Sequence, residues 1–377
     1  MIVERPALER RVLASLDASR IPVILGGCGM GRTSLLLRIE RLLGRERALY
    51  LDLPAVASTP ERCLASILAA CPFKRRPEAA RLGAASPREA FDAIAALLDE
   101  ATASEGGPAT FLIDEILDFR TFESFPGLRH VQREIIARLA ASPNSFVLAS
   151  RFTTRAHRLL RDAAARFEVI HVPALDAADT QGLARLFDDT TPEWARAIAP
   201  DVNALGAGRP AYVNLLLDAL AGMGHATDAA AGLASLLSPD GRLTARCRES
   251  YDLRLNRARG FGALKAILGI LADDEPLNLT EIAHRMHRTP GSTKDYLSWL
   301  EDVDLLSSQR KRYAFDDPLL RLYVRLYGRA VPPTEGDTLR EVQVYAQARL
   351  AAPAPDRAAA LVSADTPTAR SGIIEID

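Results

Sequence analysis

Lysine is almost missing from this chain. Of 47 basic residues only Lys74, Lys265, Lys294 and Lys311 are lysines, and arginine carries the rest. The 48 acidic residues bring the formal charge to −1, which excludes nucleic-acid binding by bulk charge and requires any such surface to be local. Cysteine is scarce as well. Cys28, Cys63, Cys71 and Cys247 have neither the density of a disulfide framework nor the spacing of a metal site, which suits a reducing cytoplasm. No apolar run approaches the ~20 residues that cross a bilayer, and Met1 to Pro6 lacks a basic-then-apolar leader, so a cytoplasmic protein without membrane contact is expected. The 6 histidines are scattered without carboxylates at metal-ligand spacing, and no serine-nucleophile elbow is present.

What the chain does have is length and apolar content. Its 377 residues are 48% hydrophobic and 25% charged, enough for two or three domains with their own cores. Short apolar runs at Ile21–Leu25, Ala48–Leu53, Ala109–Glu115, Ser145–Arg151 and Phe167–Val172 read as strands. Helical patterns alternate with them at Ala7–Leu16, up to Leu43, and at Glu61–Ala70, Ala90–Glu100 and Val131–Ala140. That alternation predicts a parallel sheet covered on both faces. Pro72 to Pro87 reads as a surface excursion. From Asp176 to Asn256 the chain turns helical, with the stronger segments at Asp179–Phe187, Pro192–Ala199, Pro210–Ala221 and Leu243–Asn256.

The chemistry concentrates after the first strand. Gly26-Gly27-Cys28-Gly29-Met30-Gly31-Arg32-Thr33-Ser34 has the spacing G-x-x-x-x-G-K-[ST], with Arg32 where lysine is expected. Small residues there let backbone N–H groups close around phosphate oxygens, with the following helix aiming its positive end at them. Thr33 stands where a hydroxyl ligand of Mg²⁺ belongs. A guanidinium is larger and more directional than an ammonium, so Arg32 separates binding a nucleotide from hydrolysing it. Asp114 and Glu115 end the third strand, where an Asp holds Mg²⁺ and a Glu activates water. Solvated acids at a strand end are the plain alternative. Ser150-Arg151 closes the next strand, and an arginine there is placed to touch a γ-phosphate. Cys28 is read as a small tolerated loop residue.

Further on, Gly208-Arg209-Pro210 opens a helix, and Pro210 serves either as ordinary capping or as a surface for a base. Leu279–Met286, a turn at Arg288–Gly291 and Ser292–Leu300 fit a helix-turn-helix, with two strands after it joined by Ser307–Lys311. Ser292, Thr293 and Lys294 on the second helix and Arg310, Lys311 and Arg312 on the wing are the candidate DNA contacts, while Asp295, Glu301 and Asp302 count against them. A protein partner is the other occupant such a module takes. Ala352 to Asp377 reads as a disordered tail, with Gly372–Asp377 either a docking peptide or a frayed end.

On these residues the chain resembles the P-loop ATPases of the STAND and archaeal-ATPase branch, relatives of AAA+ origin-recognition proteins, from Ile2 to Gly328. Ile2–Arg5 with Ala7–Leu16 looks like the segment that lies against adenine in that family. Gly26–Thr33 matches its phosphate loop apart from Arg32, Phe111–Glu115 its metal and water-activating strand, and Ser150-Arg151 its sensor strand. Gly208-Arg209-Pro210 is similar to the lid's Gly-x-Pro, and Arg312–Tyr323 to the segment closing the winged helix. The resemblance implies an α/β P-loop NTPase core over residues 1–174 and a helical lid over 175–258. A winged-helix domain follows over 259–331, with a helical extension and tail over 332–377. It implies ATP with Mg²⁺ as cofactors and a regulatory or assembly ATPase, slow because of Arg32, whose winged helix contacts DNA. A non-hydrolysing, nucleotide-stabilised scaffold docking a protein partner is the alternative. Homo-oligomerisation stays open, with Arg155, Arg158 and Arg161 placed by proximity as candidates for an arginine acting on a neighbouring subunit. Adenine over guanine rests on the resemblance.

Overall fold

Five strands, β1 (Ile21–Leu25), β2 (Ala48–Asp52), β3 (Thr110–Asp114), β4 (Ser145–Ser150) and β5 (Phe167–His171), pair in parallel in the order β2-β3-β4-β1-β5. Their runs are apolar throughout because both faces are covered. Ile24, Leu112 and Val147 face α1 (Pro6–Asp17) and α2 (Arg32–Leu43), where Leu8, Val12, Leu36 and Ile39 pack. Val23, Phe111, Ile113 and Phe146 face the opposite layer of α3 (Leu53–Val56), α4 (Pro60–Ala70), α5 (Pro87–Glu100) and α6 (Val131–Ala141). A 3-10 helix (Ile116–Ser124) follows β3, and α7 (Thr153–Leu160) follows β4. The order places the carboxyl ends of β1, β3 and β4 side by side, where ligands of such sheets bind.

A computed structural model describes residues 4–74, 86–161, 166–187, 190–255, 260–329 and 331–351. Ile2 and Val3, most of the excursion expected from Pro72 to Pro87, and the tail from Ala352 to Asp377 lie outside the described residues. At the start of that excursion Pro72 and Lys74 are exposed, and Phe73 between them turns inward. Phe73 is buried edge-on against Phe111, with ring centres 5.3 Å apart, and Lys74 bridges to Thr102.

The helical stretch comprises α8 (Ala177–Ala184), α9 (Pro192–Leu205), α10 (Pro210–Gly222), α11 (Ala229–Leu236) and α12 (Arg242–Leu255). The helix expected to stop at Ala199 runs on through Pro200. Its face of Trp194, Ala195, Ile198, Val202 and Leu205 is buried, and that burial outweighs the bond Pro200 cannot donate. Next come α13 (Phe261–Asp273), β6 (Leu277–Asn278), α14 (Leu279–Arg285), α15 (Pro290–Asp302), β7 (Leu306–Gln309) and β8 (Arg312–Phe315). β8 lies between β6 and β7 in an antiparallel sheet, so a third strand joins the two expected. The β7–β8 turn is only Arg310-Lys311, both with positive φ, as a tight right-twisted hairpin requires.

Helices α16 (Pro318–Tyr327) and α17 (Glu335–Leu350) complete the described chain. One apolar cluster runs from Leu175 to Ala346, so the helical stretch, the α13–β8 unit and α17 share a core. Two tyrosines lock it: Tyr327 donates to the Leu237 carbonyl at 2.7 Å and Tyr345 to the Leu205 carbonyl at 2.9 Å. No helix among the described residues is long and apolar enough to cross a membrane.

Phe111 is fully buried between Phe73 and the stacked ring of Phe146 at 5.8 Å. Phe111→Ala should cost ~3–5 kcal/mol of stability in urea denaturation. A loss below ~1 kcal/mol would contradict this packing.

Candidate functional site

A cleft of about 440 Å³ opens at the carboxyl ends of β1, β3 and β4, under α10 and α12. The loop between β1 and α2 forms its floor. Gly29 and Gly31 hold positive φ there, and a Cβ on Gly29 would come within 3.1 Å of Ala211, so the lid packs directly on the loop. Cys28, Gly29, Gly31, Arg32, Thr33 and Ser34 line the cleft. Gly26, Gly27 and Met30 do not: the first two turn carbonyls toward Arg32, and Met30 packs under the sheet's α1–α2 face.

Arg32 is 8% exposed. One guanidinium nitrogen donates to the carbonyls of Gly26 and Gly27, the latter at 2.5 Å, and the other to Glu115 Oε1 at 2.7 Å. The planar fork thus spans loop and strand end together, a reach that a point-like ammonium lacks. Glu115, in the left-handed region at φ 55, also accepts the Arg151 backbone N–H at 3.0 Å and pairs with Arg151 Nε at 3.2 Å. The strand-end acid is therefore not solvated, and buried Arg32 and Glu115 form one charge network with half-buried Arg151.

Asp114 is 4% exposed, and its Oδ2 accepts from Thr33 Oγ1 at 2.6 Å and from the Tyr50 hydroxyl at 3.1 Å. Oδ1 is buried with no hydrogen-bond partner. An orphaned carboxylate oxygen beside a threonine hydroxyl fits a hard, oxygen-seeking cation, so Thr33 and Asp114 suit Mg²⁺. Burial raises the Asp114 carboxyl above the usual range, against the lowering effect of its hydrogen bonds. Burial and the nearby carboxylates likewise push the Tyr50 hydroxyl up. Arg5 and Glu9, from the two segments that resemble the adenine-side entry, line the cleft as well, and so do Tyr50, Asp52, Asn214 and Arg246, which were not anticipated. Tyr50 and Asp52 carried a signal, since they end the strand next to β3; Asn214 and Arg246 arrive only through tertiary packing of the lid.

Pro210 lines the cleft, with its Cγ 3.7 Å from where a Gly31 Cβ would stand. Its neighbour Arg209, which the sequence presents only as the middle of Gly208-Arg209-Pro210, is 8% exposed and makes the larger connection. It donates to the Cys28 carbonyl at 3.1 Å and to the Asp316 carbonyl and carboxylate at 2.9 and 3.1 Å, with Asp317 at 3.6 Å. Asp317 in turn accepts from the buried Tyr212 hydroxyl at 2.6 Å. The glycine loop, the start of α10 and the segment after β8 meet at one guanidinium.

Of the six residues expected at DNA, Thr293 is fully buried and donates to the Thr289 carbonyl at 3.0 Å, so no surface contact is open to it. Ser292 is half-buried, with its hydroxyl on the Thr289 carbonyl at 3.1 Å. Lys294, Arg310 and Lys311 are exposed. Arg312 is exposed but committed to the Pro276 carbonyl at 2.8 Å. The exposed His284, Arg285, His287 and Arg288 surround the same turn. Among the arginines after β4, Arg155 lies over the Phe152 ring, Arg158 is exposed and pairs with Asp302 at 2.6 Å, and Arg161 is exposed.

The structure of the Walker-type ATPase of Pyrococcus abyssi superposes over 86% of this chain and 96% of its own, with a TM-score of 0.66 at 15% identity. The chain has the fold of a Walker-type ATPase. Similarity extends at lower TM-scores to the Aeropyrum pernix ORC1 protein in complex with DNA (0.44, 16% identity, 92% of this chain and 95% of that one). It extends also to a Thermotoga maritima RuvB mutant (0.42, 14% identity, 88% and 97%). No protein-family model matches the sequence, and no curated protein does. Within the Walker-type fold, the α/β core carries the cleft and the helical region closes it.

Because the folded state holds the Asp114 proton more tightly than the unfolded chain, this group's contribution to stability is lost as pH rises through its folded pKa. Asp114→Asn, which cannot titrate, should therefore lose ground to wild type as pH falls toward the ordinary carboxylate range in urea denaturation. A difference that ignores pH, or moves the other way, would refute the buried-carboxylate assignment. Arg209→Ala strips the guanidinium from buried Asp317, which keeps its hydrogen bonds from Tyr212 and the Leu319 and Leu320 amides, and should destabilise the protein by ~3–5 kcal/mol, with a loss under ~1 kcal/mol the contrary result.

Proposed function

We propose that the cleft binds ATP with Mg²⁺ and that the protein is a regulatory or assembly ATPase whose turnover is restrained by Arg32. The observation that carries this reading is the convergence of Thr33, Asp114, Glu115 and Arg151 on the glycine loop. Backbone N–H groups of the loop and the start of α2 face the phosphates, and Thr33 with Asp114 would hold Mg²⁺. When bound, the ion neutralises charge on the β- and γ-phosphates. Glu115 accepts the proton of the attacking water, and Arg151 reaches the γ-phosphate.

As found, however, Glu115 is engaged by Arg32 and Arg151 together. Its carboxylate is available as a base only when Arg32 leaves it, and phosphates in the loop offer Arg32 the alternative anion. Arg32 therefore serves both as phosphate counter-charge and as a restraint on the base. Arg32→Lys, with the shorter and more compact cation, should raise steady-state ATP turnover by about tenfold or more. Unchanged turnover in a folded, ATP-binding variant would mean that Arg32 is not limiting. Glu115→Gln should abolish turnover while retaining bound ATP.

The α13–β8 unit we read as a winged helix that contacts DNA through Lys294, Arg310 and Lys311, with His284, His287 and Arg288 beside them. The docked protein partner is the second reading, favoured by the burial of Thr293 and by Asp295 and Glu301 along α15. Duplex binding that weakens steeply with salt supports DNA, because phosphate contacts release counterions. Binding that is absent, or indifferent to salt, supports the protein partner.

A further inference from the structure

Helix α7 begins without a cap of its own. Phe152 occupies its N-cap position and offers no side-chain oxygen to the first turn. The acceptor comes from Asp304, 151 positions beyond Thr153. Its Oδ2 takes the Thr153 backbone N–H, and its Oδ1 takes the Thr154 N–H at 3.3 Å and the Thr154 hydroxyl at 2.9 Å. Asp304 is 9% exposed, sits in the left-handed region at φ 49, and has its own carbonyl held by buried Arg254 at 3.1 Å. Further along α7, Arg158 pairs with Asp302. The C-terminal end of α15 is thereby clamped across α7, while its N-terminal end carries exposed Lys294.

Arg151 lies two residues before the first turn of α7. Its guanidinium rests 5.6 Å from the Phe152 ring, and the Phe152 N–H is held by Ser150 Oγ at 3.1 Å. The whole turn from Ser150 to Thr154 is short and internally bonded, and two of the three contacts on the Glu115 carboxylate leave from it.

We propose that Asp304 is a positioning residue for Glu115, acting from the C-terminal unit by capping α7 and so setting the Arg151 backbone that holds the carboxylate. Its catalytic importance rests on the role given to Glu115 above; the contact itself does not.

Residue-resolved amide hydrogen exchange on the full chain without nucleotide tests this, so failure to bind ATP and failure of the proposal are told apart. The Thr153 and Thr154 amides read the cap, and the Arg151 amide reads the bond to Glu115. Asp304→Asn keeps the shape and tolerates the left-handed backbone, but removes the charge and converts one acceptor to a donor. All three amides should exchange about tenfold faster or more in the variant, with the Ile24 amide in the interior strand β1 unchanged. Acceleration at Thr153 and Thr154 with Arg151 unaffected overturns the proposal, as does no change at any of the three. Should that variant fail to fold, Thr154→Val removes one of the three bonds, and a smaller acceleration at Arg151 and Thr153 is expected; an unaffected Arg151 amide is again the contrary result.

Discussion

The Glu115 carboxylate is the point on which this structure turns. Two arginines from different parts of the chain converge on it, Arg32 from the phosphate loop and Arg151 from the end of β4. Taking three charged groups out of water is expensive, and only their mutual contact makes it bearable. The cost also means that no member leaves unless another anion or cation takes its place. A phosphate group is such an anion. On the reading proposed above, arginine in place of lysine is the element that would join loop occupancy to the state of the Glu115 carboxylate.

A second guanidinium organises the other side of the cleft. Arg209 binds the Cys28 carbonyl in the loop and Asp316 after β8, so the lid cannot lift without disturbing either. The region beyond β8 is no loose appendage: its core is continuous with that of the lid, and α17 packs back on α9 and α11. Two acidic patches, Asp302 with Asp304 and Asp316 with Asp317, bring this C-terminal body onto the arginines and helix ends around the cleft. Near-neutral net charge conceals that arrangement, since each patch is balanced by arginine across an interface.

Much of the core was legible because its signals are local. Continuous apolar runs announced buried parallel strands, glycine spacing the loop, and Asp114-Glu115 the strand end that faces it. The ends of the five parallel strands were right to within one residue because the motif and the ladder stop together, whereas β7 runs to Gln309 through residues that read as the turn. The failures share a physical cause. Pro200 reads as a stop, yet tertiary burial of Val202 and Leu205 carries the helix past it. Thr293 reads as a polar donor on a recognition helix, yet helical phase turns it inward and its hydroxyl bonds the preceding turn. Arg209 and Asp304 sit in plain sight, one inside a familiar tripeptide and one in an acidic run, but their partners are 107 and 151 residues away. The cap of α7 was invisible for the same reason: its acceptor is not next to it in sequence.

The most direct test is calorimetric titration of the full chain with ATP in the presence and absence of Mg²⁺, repeated on Thr33→Ala. The geometry predicts one site per chain, with a dissociation constant of about 10 μM or tighter, a clear gain from Mg²⁺, and loss of that gain in the variant. Absence of ATP binding to wild type under both conditions would contradict the central claim and leave the loop, with its arginine folded back on Glu115, as a closed structural element.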